Sequence, residues 1–128
     1  MRLRIHYLPI ILSITISLLL LSGLGSDTKK IIQITYNQLT KDAQKQVDCL
    51  ADNIYYEAGY EPEDGKVAVA LVTLNRLQDP RFPKDICGVV KQKTKSTCQF
   101  SWFCETKRPV ISDRAKEIYD QARIVALH

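Results

Sequence analysis

Asn53-Ile54-Tyr55-Tyr56-Glu57-Ala58-Gly59-Tyr60-Glu61-Pro62 closes a helical pattern on a carboxylate and a glycine, and its reading decides how the rest of the chain folds. With Ile54 at the centre of a face and a turn of about 100° per residue, Val47, Leu50, Ala51 and Ala58 fall within about 60° of it, the apolar stripe of a core-facing helix. Glu57 lies on the edge of that stripe, one turn from Ile54 and two from Leu50, and is expected to be half-buried. Gly59 suits a left-handed turn just past a helix end, which puts Glu57 in the last turn, at the negative end of the helix dipole. Burial and the dipole both disfavour the charged carboxylate and raise its pKa, and a carboxylic acid that keeps its proton near neutrality can act as a general acid. The competing reading makes Glu57 an ordinary surface residue, with its stem on the core and its head in water.

Upstream, Thr40 offers an N-cap and Asp42 sits in the first turn, so the helix spans about Lys41 to Ala58. Downstream, Pro62 suits a first helical position and Glu63 and Asp64 a first turn, giving a second helix to about Leu77. Its middle, Val67-Ala68-Val69-Ala70-Leu71-Val72, is apolar on all sides, which predicts a buried central helix with Asn75 and Arg76 as its polar end. From Gln78 to Arg108, Pro80, Pro83, Gly88 and three cysteines divide the chain into short runs, predicting a loop-rich region with one short helix and a little strand. Ser112 caps a last helix that packs through Ala115, Ile118, Tyr119, Ala122, Val125 and Ala126. Residues 26–40 are polar and β-branched without a sustained period and read as a linker or extended arm.

Met1 to Ser26 reads as a targeting segment. Arg2, Arg4 and His6 form a positive head, Leu8 to Leu21 is an apolar run interrupted by Ser13, Thr15 and Ser17, and the small residues Gly23 and Gly25 follow. Residues 1–25 are then a signal peptide cleaved after Gly25 or, if uncleaved, an N-terminal membrane anchor. Tyr7 to Leu24 is slightly short of the roughly 20 residues a spanning helix needs. Either way the remainder is expected to work outside the cytoplasm, in the periplasm, the cell wall or the medium, touching a membrane only through this segment. About 100 residues remain, one small domain with a modest core. The whole chain carries a formal charge of +4, part of it from Arg2 and Arg4. That excess is too small and too scattered for a nucleic-acid footprint, and Lys91, Lys93 and Lys95 read as a solvated loop.

All four cysteines, Cys49, Cys87, Cys98 and Cys104, follow the leader, and an even number in a short exported chain is a disulfide pattern. No pair has the close spacing of a zinc ribbon. Four cysteines allow three pairings. The preferred one joins Cys98 to Cys104 around a short loop and Cys49 to Cys87 between the first helix and the middle of the domain.

The only histidines are His6, in the leader, and His128, at the end of the chain. A Ser/His/Asp triad, a Cys/His nucleophile pair and a histidine-ligated zinc therefore have no internal histidine to use. What remains for an exported domain with one poised carboxyl is acid/base work on glycosidic bonds. Gln99-Phe100-Ser101-Trp102 holds the one tryptophan, read either as a core aromatic or as the wall of a sugar-binding cleft.

Six ordered segments carry a family resemblance: Cys49-Leu50-Ala51-Asp52-Asn53-Ile54-Tyr55-Tyr56-Glu57-Ala58, Glu61-Pro62, Gly65-Lys66-Val67-Ala68-Val69-Ala70, Leu74-Asn75-Arg76, Ile86-Cys87-Gly88-Val89-Val90 and Cys98-Gln99-Phe100-Ser101-Trp102. In order and spacing the chain resembles the cell wall hydrolases related to spore-cortex-lytic enzymes. The resemblance implies a lysozyme-like α+β fold, mostly helical, over residues 41–128, with a short loop and strand region stapled by disulfides. It also implies cleavage of peptidoglycan glycan strands, usually as a lytic transglycosylase, by a monomer that needs no cofactor or metal. It places the catalytic acid at Glu57, and the candidate substrate-binding residues are Glu61, Asn75, Gln99, Phe100, Ser101 and Trp102. Two departures stand out. Gly59-Tyr60 replaces an Arg-Gly pair, which removes a positive charge beside the acid and lets its pKa rise further. The sequence also stops at His128, before a further segment of the family's cleft, so the expectation is a truncated copy or a cleft open on one side. A non-catalytic wall-binding or accessory remnant is the alternative function, and a purely structural exported domain the third.

Overall fold

Thr40 begins the helix around which the domain is built. Its hydroxyl accepts the Ala43 N–H at 3.2 Å, Asp42 lies in the first turn, and the helix runs Lys41–Ala58. The computed structural model describes residues 27–105, 110 and 112–128, so the expected leader lies outside the described residues. Among these residues no helix is long and apolar enough to cross a membrane.

The chain divides into two compact units, Met1–Thr35 and Tyr36–His128. Residues 27–38, expected as a linker or extended arm, are helical and form α1. Ile31 and Ile34 are exposed on it, while Ile32 and Tyr36, one turn apart, are half-buried. In the second unit, α2 (Lys41–Ala58) is followed by α3 (Glu63–Gln78), the short α4 (Ile86–Val90), a 3-10 turn (Ser101–Phe103) and α5 (Asp113–Leu127). Asp85 caps α4 through the Gly88 N–H and Ser112 caps α5 through the Ala115 N–H, at 2.8 and 3.0 Å. Strand structure among the described residues is limited to one antiparallel bridge, Lys93 with Cys98. The domain is thus mostly helical, with a loop region closed by disulfides.

The expected stripe of α2 is the core. Leu50, Ala51, Ile54 and Ala58 are buried, and Leu50 and Ile54 cluster with Ala70 of α3 and Ala122 of α5. Both disulfides form in the preferred pairing: Cys49–Cys87 ties α2 to α4 with Cα atoms 5.2 Å apart, and Cys98–Cys104 closes the loop around the 3-10 turn.

The central helix is α2 and not α3, which corrects the sequence reading. Helices α3, α4 and α5 all pack on α2, whereas α3 uses one face, with Lys66, Ala70 and Thr73 buried. Val67, Leu71, Val72 and Leu74 are exposed on its other side, Leu71 at 51%. An all-apolar sequence meets the requirement for a buried helix but does not supply a second layer to cover it. Conversely, α2 carries Asp48, Asp52 and Asn53 and is still surrounded, because its neighbours bring matching polar groups. Tyr119 donates to Asp52 at 2.9 Å and Tyr36 to Asp48 at 2.7 Å, while Arg123 lies 3.6 Å from Asp48 and stacks over both Tyr36 and Tyr119.

Two substitutions separate these roles. Ile54→Ala is expected to lower the unfolding free energy by about 2–5 kcal/mol, and Leu71→Gln by less than about 0.5 kcal/mol, in urea titrations followed by circular dichroism. A loss at Leu71 as large as that at Ile54 would mean that the outer face of α3 is covered in solution.

Candidate active site

The end of α2 and the disulfide loop meet through one buried side chain. Asn53, one turn before Glu57, donates from Nδ2 to the Thr73 hydroxyl at 3.1 Å and accepts the Trp102 Nε1–H at 2.9 Å. The Thr73 hydroxyl donates to the Val69 carbonyl at 3.2 Å, which completes a chain of satisfied polar atoms. Asn53 and Thr73 are fully buried, and Trp102 is 6% exposed. Tyr56 stacks on Trp102 with ring centroids 4.6 Å apart and planes 17° apart. The residue before Glu57 and the residue one turn earlier therefore both grip the same tryptophan.

Glu57 occupies the last full turn of α2 and is exposed. Its pKa lies above the ordinary glutamate value, first because the surrounding protein strips away part of its water and second because Glu105 places a negative charge nearby. The expected rise is present, and its second cause is a carboxylate on the loop. Such a group reaches solvent, where a polymer can approach it, and still holds its proton more tightly than a free carboxyl does.

The turn after α2 differs from expectation. Gly59 has φ −56° and ψ −36°, an ordinary helical conformation, with its N–H bonded to Tyr55 O at 3.1 Å. Its role is space. A Cβ there would press on the Tyr55 carbonyl oxygen and stand 3.1 Å from Cγ2 of Ile118, so glycine lets α5 close on the end of α2. The next residues are fixed by Lys66, a buried lysine whose ammonium donates to the Glu61 carbonyl oxygen. A small cavity of about 130 Å³ adjoins this turn, lined in part by Tyr60, Lys66, Arg114 and Glu117.

The other candidates fall into three groups. Gln99 and Ser101 are exposed on the loop that Trp102 anchors, whereas Phe100 and Trp102 are buried in a second cluster with Val90, against Tyr56, Ile86 and Phe103. The core reading of these two rings is the one their burial matches, and little of either is left for a sugar face. Glu61 is exposed in the connecting turn, four residues after Glu57. Asn75 is exposed on α3, about 200° around the helix from Thr73 at about 100° per residue, so the packing of α3 on α2 does not bring it to Glu57. Among the described residues no three His, Cys, Asp or Glu side chains gather as a metal site.

Three residues escaped the sequence reading. Asn53 sits at the border of the apolar stripe, and a polar side chain there was the available signal. Arg76, taken only as a polar helix end, lies over the Phe82 and Phe100 rings at 5.5 and 5.0 Å and keeps one buried Nη1 without a hydrogen bond. Glu105 had no signal, because its approach to Glu57 depends on how the loop folds.

The cell wall hydrolase family matches residues 60–127, more than half of the chain, and the chain belongs to that family. A mostly helical, lysozyme-like fold is compatible with it. Glu57 lies just before the matched residues. Over 48 residues the chain is 44% identical to the spore cortex-lytic enzymes of Bacillus subtilis and Oceanobacillus iheyensis and 40% identical to that of Bacillus cereus. Those 48 residues are 38% of this chain and 16%, 17% and 18% of the three relatives, so the match spans about one sixth of their length. No solved structure matches the chain.

Two measurements test the site's construction. Asn53→Leu leaves the Trp102 indole N–H buried without an acceptor and is expected to cost about 1–3 kcal/mol, with a red shift in the emission of the single tryptophan. An unchanged urea midpoint would show that the amide holds nothing together. The second concerns pH. A raised pKa means that the native state binds the Glu57 proton more tightly than the unfolded chain, so ionising it lowers stability. That loss is absent below the ordinary glutamate value of about 4.3, grows as pH rises and is complete above the raised value. Glu57→Gln is therefore expected to raise Tm at neutral pH, with the difference closing in acid; melts that differ equally at every pH would contradict the raised pKa.

Proposed function

We propose that this domain cleaves peptidoglycan glycan strands between N-acetylmuramic acid and N-acetylglucosamine, as a lytic transglycosylase whose single acid and base is Glu57. The observation that carries this reading is a solvent-reaching glutamate at a helix end, its proton held by partial burial and by Glu105, beside a loop fixed rigidly to the same helix. Membership of a cell wall hydrolase family and similarity to spore cortex-lytic enzymes support peptidoglycan as the substrate, and an exported location as the place of action.

Protonated Glu57 donates to the oxygen that links the two sugars. The bond from C1 of the muramic residue to that oxygen breaks, and its electron pair leaves with the oxygen. The muramic 6-hydroxyl oxygen then bonds to C1 while its proton returns to Glu57, which gives a 1,6-anhydro end and regenerates the acid. No metal or cofactor enters these steps. Exposed Gln99 and Ser101 contact the sugar amides and hydroxyls, Glu61 lies in the connecting turn after the acid, and Phe100 and Trp102 support the loop from below.

Purified peptidoglycan digested with the wild-type protein is expected to release anhydro-muropeptides detectable by mass spectrometry. Glu57→Gln should reduce their release by roughly 10²- to 10⁴-fold. Reducing-end products in place of anhydro ends would replace the transglycosylase with a muramidase, and binding without any product would sink the enzymatic reading.

A further inference from the structure

The disulfide loop ends in a carboxylate that the fold carries back toward Glu57. Within the Cys98–Cys104 ring, Trp102 is held to Asn53 by its indole N–H and to Tyr56 by stacking, so the ring is fixed against the last two turns of α2. The chain does not lead away from there. Cys104 and Glu105 both donate their N–H groups to the Ser101 carbonyl, at 3.0 and 3.2 Å, which winds Glu105 back over the turn that holds Trp102. Glu105 is therefore three residues from a tryptophan whose ring stacks on Tyr56, the neighbour of Glu57. Both carboxylates are exposed.

We propose that Glu105 is the second carboxylate of the active site and stabilises the positive charge that develops at the muramic C1 as the glycosidic bond breaks. The inference rests on the role proposed above for Glu57. A glycosidic bond breaks through an oxocarbenium-like transition state, and a fixed negative charge beside it lowers the barrier without forming a bond. Glu105 accepts no proton and forms no covalent intermediate. The division of labour is one in which a carboxyl that keeps its proton acts as the acid and a neighbouring carboxylate supplies charge. The electrostatics of the free protein agree, since Glu105 is the one charged group that raises the Glu57 pKa appreciably. The other described ionisable groups around this end of α2 are Asp52, Tyr55 and Tyr56 on the helix itself, Tyr60, Glu61 and Lys66 at the turn, and Arg114, Glu117 and Tyr119 on α5, and none of these shifts Glu57 appreciably.

The test is steady-state cleavage of purified glycan strands by wild type, Glu105→Gln, Glu105→Asp and Glu57→Gln across a pH series. It is paired with a carbon NMR titration of the Glu57 carboxyl in wild type and Glu105→Gln without substrate. Glu105→Gln is expected to lower kcat by roughly 10²-fold with KM unchanged, to move the alkaline limb of the kcat profile to lower pH, and to lower the Glu57 titration midpoint. Glu105→Asp should recover part of kcat. A structural role would lower Tm and leave the alkaline limb in place. An unchanged kcat, pH profile and titration in Glu105→Gln, with Glu57→Gln inactive, overturns the role of Glu105 and leaves that of Glu57 intact. Full activity in Glu57→Gln overturns the underlying reading instead.

Discussion

The amide of Asn53 is the contact on which the rest of the site depends. It belongs to α2, gives a hydrogen bond to Thr73 of α3 and takes one from Trp102 of the disulfide loop, all in a region without water exposure. A buried polar group without partners costs more than a satisfied one contributes, so the amide requires both neighbours at once. The requirement orients three pieces of chain that apolar packing alone would leave free to slide. The loop between α4 and α5 has one bridge pair and a three-residue 3-10 turn, too little regular structure to define its own shape. Its position comes from outside, through the indole on Asn53 and the stack on Tyr56, while the Cys98–Cys104 bond closes the loop on itself. Both outside contacts act within about one turn of Glu57.

The general acid proposed at Glu57 faces opposing demands. It must stay accessible to a polymer, which favours water and ionisation, and it must keep its proton, which favours burial. The end of α2 meets both by partial measures. Glu57 is exposed, yet enough protein surrounds it to raise its pKa, and Glu105 adds to the rise. No cation among the described residues offsets them appreciably. Where the resembling family carries an arginine, this chain has Gly59 and then an exposed Tyr60. The glycine also lets Ile118 of α5 approach the helix end closely. Lys66 then holds the Glu61 carbonyl, so the turn beside the acid is fixed although its side chains are exposed.

What the sequence made legible followed from local signals. The bounds of α2 and α5 were readable because Thr40 and Ser112 cap them and because their buried residues recur at helical spacing. The disulfide pairing was readable as the arrangement with one short loop and one long tie. What stayed hidden depended on partners far along the chain. The apolar run of α3 gave no hint that one side would remain open, since exposure is a property of the layers around a helix. Gly59 was read through backbone freedom, and its actual constraint is space, set by the Tyr55 carbonyl and by Ile118, 59 residues away in sequence. Residues 27–38 lacked a sustained period and formed a helix all the same. The approach of Glu105 to this end of α2 follows from the inward turn of Trp102, which no local pattern announces.

The arrangement sets function against stability within one small domain. Partial burial of Glu57 beside a second carboxylate opposes folding at neutral pH, and the buried Arg76 Nη1 without a hydrogen bond opposes it as well. The apolar face of α3 left in water contributes nothing to the core. A domain of this size has few residues with which to offset such terms. The two cross-links and the polar contacts of α2 stand where compensation is most needed. Cys49–Cys87 ties the central helix to α4 across 38 residues of chain, and a bond closing a loop of that length contributes about 2–4 kcal/mol. Asp48 and Asp52 hold Tyr36, Tyr119 and Arg123 against the opposite side of the same helix. Helix α2 is therefore braced along its length, and Glu57 is the exposed residue of its otherwise packed last turn.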